Sequence, residues 1–313
     1  MSQPRIATFA RLANGNIAPK RIIAGQETRL ARTMHGIAYN EERDEIIVPN
    51  PVAAAVLVFR GGAKGAEEPI RVIQGAKTQF SYPHSVNVDV KNKEILVGDP
   101  GGRKVLVFPM DADGDVAPLR VIQGPKTGLG YVVSMDVDTV NDLLIVSSNA
   151  LGSSFDAHGG HKGILFFNRT DNGNVEPKKV ISGPKTGIHE GSWQIHVDSQ
   201  RGKIFLAIGN VINYRPRYGL DKLRDWAKNA VIRSPWGSER LGFVGMWNIS
   251  DEGDVAPRAI IRGPVSGLVH PAGLAVNKED MEIIVTDSVR NGVYVYSVPD
   301  FFDETSADRK GKR

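Results

Sequence analysis

The chain has 313 residues, with 39 Lys and Arg against 35 Asp and Glu for a formal charge of +4, and it contains no cysteine. Without cysteine there are no disulfides, thiolate metal sites or cysteine nucleophiles. No apolar run reaches the roughly 18 residues of a membrane span, and the N-terminal MSQPRIATF lacks an apolar signal core. The expectation is therefore no membrane span, no export signal and, by default, a cytoplasmic location.

The first strand-like run is RIATF from Arg5, followed by the turn pair Asn14-Gly15 and the phrase PKRIIAG from Pro19. That phrase returns as PIRVIQG from Pro69, PLRVIQG from Pro118, PKKVISG from Pro177 and PRAIIRG from Pro257. The copies start 50, 49, 59 and 80 residues apart, a period that means stacked supersecondary units. Three further runs recur between the copies in fixed order. The first is HGIAY, HSVNV, VSMDV, WQIHV and AGLAV; the second is EIIVPN, EILVGD, LLIVSS, KIFLAI and EIIVTD. The third is AVLVF, KVLVF, GILFF, FVGMW and VYVYS. These short β-branched runs read as strands a, b and c, and the repeated phrase is strand d. Asp113-Gly114, Asn172-Gly173 and Glu252-Gly253 supply the hairpin turns between c and d.

Four short antiparallel strands repeated in this way form the blades of a β-propeller, which limits exposed sheet edges by radial repetition. The expected fold is all-β with five blades by repeat count, the alternative being six because RIATF resembles a strand c without its own a and b. The last repeat has no strand d, so Lys20 to Ala24 is expected to close it from the N-terminus. Residues 1–302 then make one propeller domain, and the polar, basic residues 303–313 make a disordered tail.

GIAY followed by EIIVPN, PAGLAV followed by IIVTD and VYVYS, and the GDVAPxRxIxGPxTGL phrase resemble NHL-repeat propellers over Pro19 to Val298. The likeness implies the fold, and some NHL domains bind RNA; propellers as a class host enzymes, binding modules and scaffolds alike.

Two insertions break the period: Ala150 to Lys162, and Asn210 to Gly242. Both fall between b and c, and alternating strand polarity puts the b-to-c and d-to-a connections on one face of the blades. RYGLDKLRDWAKNAVIR in the second insertion has helical spacing and predicts an amphipathic lid helix carrying Trp226. Asn210 to Gly242 holds seven Lys and Arg against three Asp and Glu, the same +4 as the whole chain. Six of the seven histidines also fall on this face, His158 and His161 within the first insertion; His196, inside strand a, is the exception.

His35 and His84 open strand a in their repeats, where Val133, Trp193 and Ala272 stand in the others, and His270 lies two residues earlier in the fifth. Three neutral imidazoles facing one centre would suit zinc or another transition metal; the alternative is that each histidine hydrogen-bonds a neighbouring blade. Tyr82-Pro83-His84-Ser85 is similar to the zinc-histidine context of the peptidyl-hydroxyglycine amidating lyases, and Met34-His35-Gly36 matches it in part. That likeness implies a divalent metal.

Asn50, Asp99 and Asp287 end strand b on the same face and offer oxygen ligands for calcium or caps for loop amides, while Arg103 and Arg290 follow in the b-to-c loops as anion contacts. Tyr82, Trp193, His158, His161 and Trp226 complete the expected ligand surface. No nucleotide-cofactor or nucleophile motif occurs. The leading expectation is a small-ligand or metal-dependent site, of lyase or hydrolase type if catalytic. The alternative is a noncatalytic protein- or RNA-binding scaffold.

Overall fold

The structure is a computed structural model that describes residues 4–32, 35–149, 161–188, 191–209 and 241–303. The chain is an all-β propeller of five blades; among the described residues the only α-helix is the single turn α1 (Pro299–Phe302). It divides into two compact units, residues 1–127 with 170–175, and residues 128–169 with 176–313.

The first unit contains a two-stranded sheet, β1 (Arg5–Thr8) with β2 (Arg21–Ala24), and two four-stranded blades. Blade one is β3 (Ala38–Asn40), β4 (Glu45–Asn50), β5 (Ala55–Arg60) and β6 (Arg71–Gln74). Blade two is β7 (Ser85–Asp89), β8 (Glu94–Asp99), β9 (Lys104–Pro109) and β10 (Arg120–Gln123). The second unit holds blade three, β11 (Tyr131–Asp138), β12 (Leu143–Asn149), β13 (Gly163–Asn168) and β14 (Lys179–Ile181). It continues with blade four, β15 (Ser192–Asp198), β16 (Lys203–Ile208), β17 (Phe243–Asn248) and β18 (Ala259–Ile261). Blade five is β19 (Pro271–Asn277), β20 (Glu282–Asp287) and β21 (Gly292–Ser297).

Among the described residues the N-terminal strand belongs to a sheet of its own and not to the sheet of the last blade. β2 pairs with β1 through Arg5↔Ala24 to Thr8↔Arg21, and blade five remains β19-β20-β21. RIATF, the unplaced run of the sequence, is thus a strand c for β2. A hairpin between segments so near in the chain costs little loop-closure entropy, so β2 takes its local partner. On β21, Val293 and Val295 remain 59% and 50% exposed.

Strands b and c are continuous apolar runs rather than alternating ones because blades stack face to face and cover both sides. Ile47, Val56, Val58, Val97, Leu106 and Phe108 form the core of the first unit. Ile145, Phe166, Ile204, Leu206 and Trp247 do so in the second. The last residue of each strand a, Asn40, Asp89, Asp138, Asp198 or Asn277, accepts backbone N–H groups of its a-to-b turn and fixes the tight connection.

The c-to-d hairpin has a second task. Ile73 bridges to Gly114, the Val72 N–H donates to Asp113 Oδ1 at 3.0 Å, and the Lys77 N–H donates to Asp115 Oδ1 at 2.7 Å, so the turn of blade two fastens the end of blade one. Asn172 and Asn174 do the same for Val121 and Lys126, and Asp254 for Lys185. This explains the glycine ending the repeated phrase. Gly75 has φ 137°, and a Cβ there would lie 2.4 Å from the Asp115 carboxyl carbon. Gly75→Ala is expected to lower stability by about 1–3 kcal/mol in urea unfolding, through both backbone strain and the displaced carboxylate. Gly62→Ala, with nothing within 4 Å of the new methyl, should stay near wild type.

A candidate ring site on the histidine-bearing loops

The entry to strand a is irregular. Register shifts at Val132/Ser134, Ser192/Ile195 and Pro271/Gly273 leave the first residue of the run outside the ladder in blades three, four and five. β3 and β7 likewise begin after His35 and His84. A residue freed from pairing can aim its side chain independently of the strand's alternation, which is how bulges serve sites.

In the first unit the two histidines come together. Their rings stack with centroids 4.3 Å apart and planes 16° from parallel. His84 is 2% exposed, whereas His35 is exposed and covers it. Tyr82 contacts the same His84 ring at 6.2 Å and 28°. Partial burial lowers the His35 pKa from the usual histidine value, so this ring resists charging.

Asp99 holds this array in place. Its carboxylate accepts the Ser81, Tyr82 and Gly102 N–H groups, the last two at 2.9 and 3.0 Å, tying the d-to-a connection to the b-to-c loop that contains Arg103. Asn50 plays this part in blade one, donating from Nδ2 to the Arg29 carbonyl at 2.7 Å and accepting the Ala53 N–H.

In the second unit His270 meets Trp193 edge to face at 5.8 Å, and the indole N–H donates to His270 Nε2 at 3.0 Å. The neutral ring therefore carries its proton on Nδ1. Burial lowers its pKa, opposed by the Asp287 carboxylate. A Cβ on Gly209 would sit 2.5 Å from the ring, so only glycine leaves room for it. Asp287 accepts four backbone N–H groups, from Val269, His270, Val289 and Arg290, at 2.7 to 3.0 Å. His161 donates its N–H to the Gly128 carbonyl at 2.8 Å and is exposed. His158, Trp226 and the expected lid helix lie outside the described residues.

His196, set apart by the sequence, belongs to a row of inner-strand contacts. Its Nδ1 stands 3.4 Å from Asp136 Oδ2, which also accepts the Val197 N–H at 2.7 Å. Ser134 Oγ accepts from Ile195 and Gln194 Oε1 from Leu274, so these side chains stitch consecutive inner strands. Their second and fourth positions in the runs VSMDV and WQIHV were the available sequence signal. Burial lowers the His196 pKa, the Asp136 charge working in the opposite direction.

A histidine whose folded pKa lies below its unfolded value of 6.5 binds fewer protons folded than unfolded, so stability is full above that value and falls as the pH drops below it. The urea midpoint of the wild type should decrease between pH 7.5 and pH 5.5, and His196→Gln should flatten part of that slope. An identical slope in the variant would remove His196 from the account.

Among the described residues no group of three or more His, Cys, Asp or Glu side chains is placed to hold an ion. The His35 and His84 rings stack face to face, and His270 Nε2 already accepts the Trp193 indole N–H.

No protein-family model matches the chain, and no curated protein sequence matches it either. Among solved structures it is similar to the WD40 β-propeller domain of Doa1, at 10% identity over 86% of this chain and 81% of that one, with a TM-score of 0.46. The hydrazine synthase of Kuenenia stuttgartiensis gives TM-score 0.55 at 11% identity, covering 93% of this chain and 75% of that one. This second likeness is one of fold alone.

Proposed function

We propose that the chain binds a small planar ligand at the ring array of Tyr82, His84 and His35. The observation that carries the proposal is the His35–His84 stack, in which two residues at one repeat position present an aromatic ledge with an exposed outer ring. Neutral imidazoles stack on aromatic or amide planes, and their ring edges both donate and accept hydrogen bonds. Asp99 preorganises the ledge by anchoring its loop to a rigid blade, which lowers the ordering cost of binding. Among the described residues no group of three or more His, Cys, Asp or Glu side chains is placed to hold an ion, so zinc or calcium enters only as an arm of the test, and no lyase or hydrolase step is assigned.

The test is a thermal-shift panel of planar aromatic compounds, primary amides and divalent ions against the wild type and His35→Ala. At least one planar compound should raise Tm in a saturable manner for the wild type and give a much smaller rise for the variant. A panel whose stabilisers act equally on both proteins would contradict the proposal. A rise caused by zinc alone and lost in His35→Ala would replace the planar ligand with a metal.

A further inference from the structure

We propose that blades three and four carry a second site, for a small ligand bearing phosphate or carboxylate oxygens, in the cavity formed on their short-turn side. This cavity, of about 870 Å³, lies away from the histidine-bearing loops, among the a-to-b and c-to-d turns. Its volume falls within the range of small-molecule pockets.

The repeat shows why the cavity is cationic. In blades one and two, strand b begins with a glutamate and strand d with an arginine, and the two form a covered ion pair. Glu45 binds Arg71 bidentately at 2.6 and 2.9 Å, and Glu94 binds Arg120 at 2.7 Å. Blade three replaces that pair with Leu143 and Lys179, and blade four with Lys203 and Ala259. Both substitutions remove the carboxylate and keep or add a cation.

The lysines are left with neutral acceptors. Lys179 Nζ donates to the Ile249 carbonyl and lies 4.3 Å from the centroid of the Phe166 ring. Lys203, 5% exposed, donates to Asn248 Oδ1 at 2.8 Å, and Lys178 donates to Asn168 Oδ1 at 2.9 Å. Four basic residues line the cavity, Lys178, Lys179, Arg201 and Lys203, of which Arg201 pairs with Asp198; Glu252 is the one acidic residue in the lining. Asp251 nearby is engaged by Arg258. Burial lowers the Lys179 pKa against the pull of Glu252, Asp251 and Asp138, as for an ammonium that has lost water. A desolvated cation gains most from an anion brought to it. Leu143, Phe166 and Ile249 add an apolar floor, suited to a ligand with a charged head and an organic body.

Calorimetric titration of the full chain with inorganic phosphate, citrate, AMP and adenosine tests the site. Saturable binding of phosphate and AMP identifies a phosphate site, and binding of citrate instead identifies a carboxylate site. In either case Lys178→Gln combined with Lys179→Gln should weaken binding about tenfold or more. Lys178→Gln alone, at an exposed position that leaves the core untouched, should weaken it by a smaller factor. Lys91→Gln, on a turn of the first unit, should change nothing. The proposal is overturned by the absence of saturable binding for all three anions, by adenosine binding as tightly as AMP, or by equal losses in Lys91→Gln.

Discussion

Asp287→Ala is expected to lower stability by roughly 3–5 kcal/mol, read as a shift of the urea midpoint at constant slope. The carboxylate is 2% exposed and accepts four backbone N–H groups, two from the segment entering β19 and two from the turn after β20. Removing it leaves those donors short of acceptors where water has limited access, and each charge-assisted bond contributes about 1.5–3 kcal/mol before non-additivity is counted. His270 should move with its N–H, so the Trp193 fluorescence spectrum should shift in the native state as well. A loss below about 1 kcal/mol, at the level of a surface substitution, would mean that the loop finds other acceptors.

Glu45→Ala should cost about 3–5 kcal/mol for a different reason. The Glu45 and Arg71 side chains are 5% and 13% exposed, so deletion of the carboxylate leaves a guanidinium covered and uncompensated. Arg71 keeps only its bond to the Met110 carbonyl at 3.2 Å. Glu45→Ala combined with Arg71→Met should recover most of the loss, because the pair itself contributes little net stability once its desolvation is counted. If the double variant is as unstable as the single one, the cost lies in packing and not in the stranded charge.

The blades were legible because each strand class repeats with its own composition. A Pro two residues ahead of an Arg, Lys or Ala opens strand d, the runs EIIVPN and EILVGD read as strand b, and Asp-Gly or Asn-Gly marks a turn. The closure was misread because repeat counting shows that strand d is missing from the last blade but cannot show which neighbour β2 will choose. RIATF, the run with no place in the count, was the sign that β2 had a nearer partner.

His35 and His84 share a register in their repeats, and their rings stack in the structure. Register fixes position along a strand and not the direction of a ring freed by an irregular entry, so the stacking of the two rings could not be read from it. Asn50, Asp99 and Asp287 ended strand b as expected, and the structure shows them accepting or making backbone bonds that secure the loops. The cationic cavity escaped sequence reading because its signal is a deletion: Leu143 and Lys203 stand where a glutamate opens strand b in the other blades. That loss acquires meaning only when the partner on strand d is seen in space.

The ligand proposed above would be held by the His35–His84 ledge. Imidazole NMR of protein labelled with ¹⁵N-histidine, followed while the strongest planar stabiliser from the thermal panel is titrated in, tests it most directly. The His35 and His84 ring signals, assigned with single His→Gln variants, should move together and saturate with the affinity seen in the thermal shifts, while those of His196 and His270 stay in place. Saturating shifts confined to other histidines, or no movement of the His35 and His84 signals at full occupancy, would contradict it.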